Sequence, residues 1–159
     1  MQLEIRPITE SDRPWIQDLL QKHWGSSQVV SRGRLYRADA LPGFLAGQWG
    51  QRVGLITYHV ENGQCEIVSL DSLVAKQGIG TALIETVRRV AVEAGCSRLW
   101  LITTNDNLEA LRFYQKRGFC LVQVHRNAIE RSRLLKPDIP LVADNGIPIR
   151  DELELELLL

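Results

Sequence analysis

The chain has 159 residues, 45% hydrophobic and 24% charged, a balance that excludes intrinsic disorder and fits a single domain over 1–159. The 19 lysines and arginines offset 19 aspartates and glutamates, so no long basic track for nucleic acid is expected. No apolar run approaches the roughly 20 residues of a membrane span, and the opening MQLEIRPITESD lacks the apolar core of a secretory leader.

Leu3 and Ile5 alternate with polar neighbours and predict a short strand ending at Pro7. Thr9 or Ser11 is placed to cap a helix with Pro14 in its first turn, with Trp15, Leu19 and Leu20 on the buried stripe and a stop near Gly25. Residues 26–41 fit a short helix or a loop equally well. From Gly43 to Val74 the period becomes that of strands: GFLAGQW, RVGLITYHV and CEIVSLDSLV, divided by Gly50-Gln51 and by the hairpin pair Asn62-Gly63. Ile79, Leu83, Ile84, Val87, Val90, Ala91 and Ala94 recur at helical spacing and predict a helix from Gly78 to Ala94. Glu85 and Arg89 form an i,i+4 pair on it, and Gly95 stands at its end. RLWLIT (98–103) is a compact apolar strand. A second helix runs from Asn107 to Arg117, Gly118 ends it, and a strand Phe119–His125 follows. A polar, Pro-punctuated stretch then leads to DELELEL, whose strict alternation is that of a closing strand. Strands in tight succession pair antiparallel, whereas the helix at 78–94 makes a parallel crossover. The expected fold class is α/β, a mixed sheet with helices on its faces.

The segment Val74-Ala75-Lys76-Gln77-Gly78-Ile79-Gly80-Thr81 joins a strand to the long helix. Gly78 and Gly80 allow close backbone approach, and the free N–H groups and helix dipole there favour an anion. Lys76 adds a charge and Thr81 a hydroxyl. A phosphate loop would need Gly-Lys-Ser/Thr, which is missing, and a dinucleotide fingerprint would want glycine where Leu83 stands. The pyrophosphate of coenzyme A and a plain glycine turn both remain open on these residues alone.

Asn107, Ala110, Tyr114, Gly118 and Phe119 fill every fixed position of Asn-x-x-Ala-x-x-x-Tyr-x-x-x-Gly-Phe. With the glycine loop, this resembles the GNAT superfamily of acetyl-CoA-dependent N-acetyltransferases. The loop signature of that family is Arg/Gln-x-x-Gly-x-Gly/Ala; Gly78 and Gly80 match it, while Ala75 departs from the usual Arg or Gln. The resemblance runs over about residues 52–120 and implies a GNAT-like fold. It also implies that acetyl-CoA is the co-substrate, an amine is the acceptor and no metal takes part.

Asn107 and Tyr114 lie two helical turns apart on one face, and the small Ala110 between them leaves room for a thioester chain. A phenol, with a reference pKa near 10, can donate a proton to a departing thiolate, the role the family gives the tyrosine matching Tyr114. An amine, protonated at neutral pH, must lose a proton before attack. Glu66 matches where many relatives carry the base, with Asp71 the second choice; Glu66 as a solvated strand-end carboxylate is an equal reading. Strand alternation puts Glu66 with Val68, Leu70 and Ser72, and Asp71 with Ile67, Ser69 and Leu73. A bulge, common in this strand of the family, would swap that parity. Backbone N–H groups near Ser72 and Leu73 are expected to hold the pantetheine arm, and residues 76–81 the pyrophosphate. A coenzyme-binding module without turnover is the runner-up, and a nucleotide-binding regulatory domain a weaker third.

Other residues carry blander expectations. Trp15 and Trp100 read as core, and Trp24 and Trp49 as either packing or the wall of an acceptor pocket. His23, His59 and His125 lack metal-ligand spacing. Cys65, Cys96 and Cys120 are an odd set that fits a reducing cytoplasm, with Cys65 and Cys120 read as small buried hydrophobes. Residues 126–133 read as a solvated basic face, and 136–152 as either a lid on the acceptor or a bare connection. A homodimer is the commonest assembly for a small domain.

Overall fold

The computed structural model describes residues 2–159. In chain order the elements are β1 (Glu4–Pro7), α1 (Arg13–Trp24), β2 (Gln28–Ser31), β3 (Arg34–Arg37), β4 (Gly43–Gln48), β5 (Gln51–Glu61), β6 (Gln64–Ser72), α2 (Ile79–Glu93), β7 (Arg98–Thr104), α3 (Leu108–Lys116), β8 (Cys120–His125), α4 (Ala128–Leu135) and β9 (Glu152–Leu158). This is the expected class, a mixed α/β fold with helices on the faces of its sheet. Contacts group the chain into two compact units. One holds the chain up to Val29, Arg37–Leu99 and Leu159, and the other holds Val30–Tyr36 and Trp100–Leu158.

The first unit orders its strands β1-β4-β5-β6, each pair antiparallel. Helix α2 lies against β5, where Gly54 is required: a Cβ there would sit 2.6 Å from Ile79 Cγ2 and 3.1 Å from Leu83 Cδ1. Ile79, Leu83, Val87 and Ala91 are buried along one helical stripe, and burying the three larger side chains contributes about 2 kcal/mol each. Gly95, at φ +76°, takes the left-handed position that ends this helix. Glu85 pairs with Arg88, whose Nε donates at 2.9 Å, rather than with Arg89 as expected, because the i,i+3 neighbour reaches both carboxylate oxygens.

Helix α1 buries Ile16, Leu19 and Leu20. Trp15, expected on that stripe, is half-buried one position off its centre, under the Arg52 guanidinium at 5.4 Å. Thr9 caps the short turn 10–12 that leads into the helix: its backbone N–H and its hydroxyl both donate to Asp12, at 2.8 and 2.9 Å. Arg6 donates to both Asp12 oxygens, at 2.7 and 2.8 Å, and Arg52 adds bonds of 3.1 and 3.2 Å. This buried carboxylate ties β1, β5 and the start of α1 together.

Tight two-residue turns build the hairpins. Asn62-Gly63 joins β5 to β6 as predicted, with φ of +53° and +69°. The turn between β4 and β5 is Trp49-Gly50, one residue earlier than expected, and it leaves Trp49 79% exposed. Residues 26–41, read as helix or loop, instead hold the β2-β3 hairpin around Arg32-Gly33 and a 3-10 turn at Ala38–Ala40.

The second unit orders its strands β7-β9-β8, with Leu101, Phe119, Ile129, Leu153 and Leu155 buried. Because β8 is at the edge, Cys120 is exposed rather than buried as expected. The segment read as a solvated basic face contains α4, whose Ala128, Ile129 and Ser132 are buried. Trp100 is half-buried, with the Arg32 guanidinium 5.9 Å from its ring. Among the described residues no helix is long and apolar enough to cross a membrane.

Arg6 hydrogen bonds, against the opposing effect of burial, hold the Asp12 carboxyl far below the ordinary carboxylate range. Its contribution is therefore complete above the ordinary value near 3.8 and is lost as the pH falls. Asp12→Asn is expected to lower unfolding free energy by about 2–3 kcal/mol at pH 7 in urea titrations, and to flatten the loss of stability below pH ~4. Wild-type stability in this variant would contradict the assignment.

Candidate active site

The geometry of β6 turns on one residue. Leu55 pairs with Asp71, Thr57 with Ser69, Tyr58 with Ile67 and His59 with Glu66, so Val68 has no partner and forms a bulge. Paired residues share a face, and Leu55, Thr57 and His59 alternate along β5. Glu66 and Asp71, five positions apart, therefore lie on the same face with Ser69, where plain alternation separates them. That face is covered from the α1 side: Trp24 Nε1 donates to Asp71 Oδ1 at 3.1 Å and Oδ2 at 3.3 Å, and His23 Nδ1 lies 4.0 Å from Oδ1. Sequence reading missed His23 and Trp24 as partners of Asp71, since nothing local connects the end of α1 to a strand so far along the chain.

Glu66 is 3% exposed, so it is not the solvated strand-end carboxylate of the blander reading, and Asp71 is 9% exposed. Burial raises the Asp71 carboxyl above its ordinary value, against the lowering effects of the Trp24 hydrogen bond and of His23. The neighbouring Cys65 is fully buried, and burial pushes its thiol up to about 12. A thiol held that high is neutral and a poor nucleophile at physiological pH.

Beyond β6 the chain runs through an exposed loop to α2. Leu73 N–H donates to Val53 O at 2.8 Å, so it is already committed and does not point to the pantetheine arm as expected. Alternation of N–H direction along a strand turns the Ser72 N–H away from β5. The Ser72 hydroxyl donates to Val74 O at 3.2 Å. Lys76 and Gly78 both take left-handed backbone, at φ +61° and +71°, and Gly78 is the N-cap of α2. Lys76, Gln77 and Thr81 are exposed, while Ile79 and Gly80 are buried beneath them. The first backbone bond of the helix runs from Ala82 N–H to Gly78 O at 3.0 Å. The N–H groups of Ile79 and Gly80 precede it at the helix start, and no acidic residue occupies that turn. Such a helix start favours an anion.

The second unit holds α3. Asn107 is its N-cap, its side chain accepting from Ala110 N–H at 3.2 Å. Tyr114, one turn after Ala110 on the same face, is 8% exposed and packs edge-on against Phe113 and Phe119, with centroids 5.2 and 5.4 Å away. The connection 136–151 is fastened rather than loose. Asn105 Nδ2 donates to Pro148 O at 2.9 Å, and Asn105 Oδ1 accepts from Arg150 and Asp151 N–H at 3.0 and 2.9 Å.

This α/β architecture, with a glycine-capped helix start after a bulged strand, is the one the sequence resemblance implies. A model of the acetyltransferase (GNAT) family matches residues 6–119, and the chain belongs to that family. Uncharacterized protein YdhI of Bacillus subtilis (strain 168) is 47% identical over 150 residues, 94% of each chain. IAA acetyltransferase from Bacillus cereus ATCC 14579 shares the fold at a TM-score of 0.71 and 20% identity, covering 99% of this chain and 100% of its own. So does a GNAT family acetyltransferase from Elizabethkingia anophelis with acetyl-CoA bound, at 0.69 and 21%, covering 99% and 98%.

Because Trp24 hydrogen-bonds Asp71, its fluorescence should report ionisation of that carboxyl. The emission difference between wild type and Asp71→Asn is expected to titrate with a midpoint above 3.8. A midpoint at or below that value would show that burial does not govern this group.

Proposed function

We propose that this chain, acting as one domain over 1–159, transfers the acetyl group of acetyl-CoA to a primary amine by direct attack. The observation that carries the reading is the bulge at Val68, which gathers Glu66 and Asp71 on one buried face with the Asp71 carboxyl raised. A carboxylate lifted toward neutrality is a better base for an ammonium proton than one at its ordinary value. The proton leaves through this carboxylate face, to Glu66 or Asp71, directly or through water. The free amine adds to the thioester carbon, the C–S bond breaks, and Tyr114 gives its phenolic proton to the departing sulfur. The nitrogen gives up its second proton to the tyrosinate, and solvent takes up the proton held by the carboxylate. Family membership and the buried position of Tyr114 on α3 support that role.

In this reading the helix start at Gly78 to Thr81, with Lys76 and Gln77, holds the pyrophosphate. Ser72 lends its N–H to the pantetheine arm, and Asn107 and Ala110 line its path along α3. No protein nucleophile is required, and the neutral, buried Cys65 thiol agrees with that. Ala75, in place of the customary Arg or Gln, removes a loop contact to the coenzyme; the second reading is a coenzyme-binding module without efficient turnover.

Acetyl-CoA with an amine panel is expected to release free thiol in step with acetylated amine. Tyr114→Phe should slow turnover roughly 10²–10⁴-fold while coenzyme affinity is kept. An unchanged rate would remove the general acid, and coenzyme binding without thiol release would favour the second reading. In pH–rate profiles of Glu66→Gln and Asp71→Asn, the variant that loses the acidic limb identifies the carboxylate that takes the proton.

A further inference from the structure

The second unit contains a cavity of about 220 Å³ that the acetyl-transfer steps above do not use, bounded by Arg32, Gly33, His125, Ala128, Arg131 and Glu152. At roughly 30 Å³ per water molecule it holds about seven, the bulk of a compact amino acid. Its charges are unequally committed. Glu152 is 2% exposed and accepts the Arg32 backbone N–H at 3.2 Å. Glu154, two positions along the same face of β9, is bonded to His125 Nε2 at 2.9 Å and lies 3.6 Å from the Arg32 guanidinium. Arg32 thus serves two buried carboxylates. To do so it holds left-handed backbone at φ +49°, which is costly for any residue but Gly, Asn or Asp; Asn62 takes the same place in the β5-β6 turn.

Arg131 is the exception. It stands on α4, exposed at the cavity wall, and its side chain makes no ion pair or hydrogen bond among the described residues. An uncommitted guanidinium suits a carboxylate, and the buried Glu152 carboxylate in the same small cavity suits an ammonium. We propose that this cavity binds a small amino acid. Its carboxylate pairs with Arg131, and its ammonium with Glu152. This binding does not depend on the acetyl-transfer reading. A polyamine or aminoglycoside would bring a cation to Arg131 and be selected against.

The test is calorimetric titration of the full chain with the common amino acids and with the amines that differ from them only by loss of the carboxylate. At least one amino acid is expected to bind, with its decarboxylated counterpart at least about tenfold weaker. Arg131→Gln is expected to weaken the amino acid by roughly 10–100-fold and leave the counterpart unchanged. Arg126→Gln, exposed and outside the cavity wall, should change neither. Absence of amino-acid binding, equal binding of the counterpart, or wild-type binding by Arg131→Gln overturns the proposal.

Discussion

One unpaired residue, Val68, sets the chemistry open to this chain. Without it, Glu66 and Asp71 would face opposite sides of β6, one of them under the wrong helix. With it, both lie on the face that α1 covers, where Trp24 and His23 meet Asp71. The cost is one lost rung of the ladder between β5 and β6. The return is a pair of buried carboxylates on one face, one of them raised by burial.

The remaining framework serves that strand. Asp12, bonded to Arg6, Arg52 and Thr9, fixes the entry of α1, and so the position of the helix whose far end reaches Asp71. Gly54 lets α2 approach β5 closely enough to present its amino-terminal turn beside the loop that follows β6. In the second unit, Asn105 fastens the 136–151 connection by three hydrogen bonds, so the segment that frames α4 is held rather than free to wander. Strain is concentrated in three turns, at Arg32, Trp49 and Lys76, where the left-handed backbone usually belongs to Asn or Gly.

Much of this could be read from the letters, for physical reasons that differ by element. Helix α2 has about four turns of unbroken periodicity and a glycine at each end, so both its existence and its limits were legible. The β5-β6 hairpin declared itself through Asn62-Gly63. The β2-β3 hairpin did not, because Arg32-Gly33 lacks the residue that normally marks such a turn. Helix α4 was hidden because only Ile129 among its large side chains is fully buried within a basic stretch. The parity of β6 was illegible to alternation alone, since an extra residue leaves no local mark; the family resemblance raised the possibility of a bulge. Alternation in β9 correctly signalled a strand, yet could not show that Glu152 and Glu154 are buried, because Arg32 lies 120 residues earlier than Glu152.

In the proposed reaction the amine itself attacks the thioester, and the neutral, buried Cys65 thiol takes no part. Rapid acid quench of a single turnover with acetyl-labelled coenzyme, with and without acceptor, tests this most directly. Label should pass from coenzyme to amide without residing on the protein, and should stay on the coenzyme when acceptor is withheld. Acetyl label bound covalently to the chain before amide appears would contradict the account.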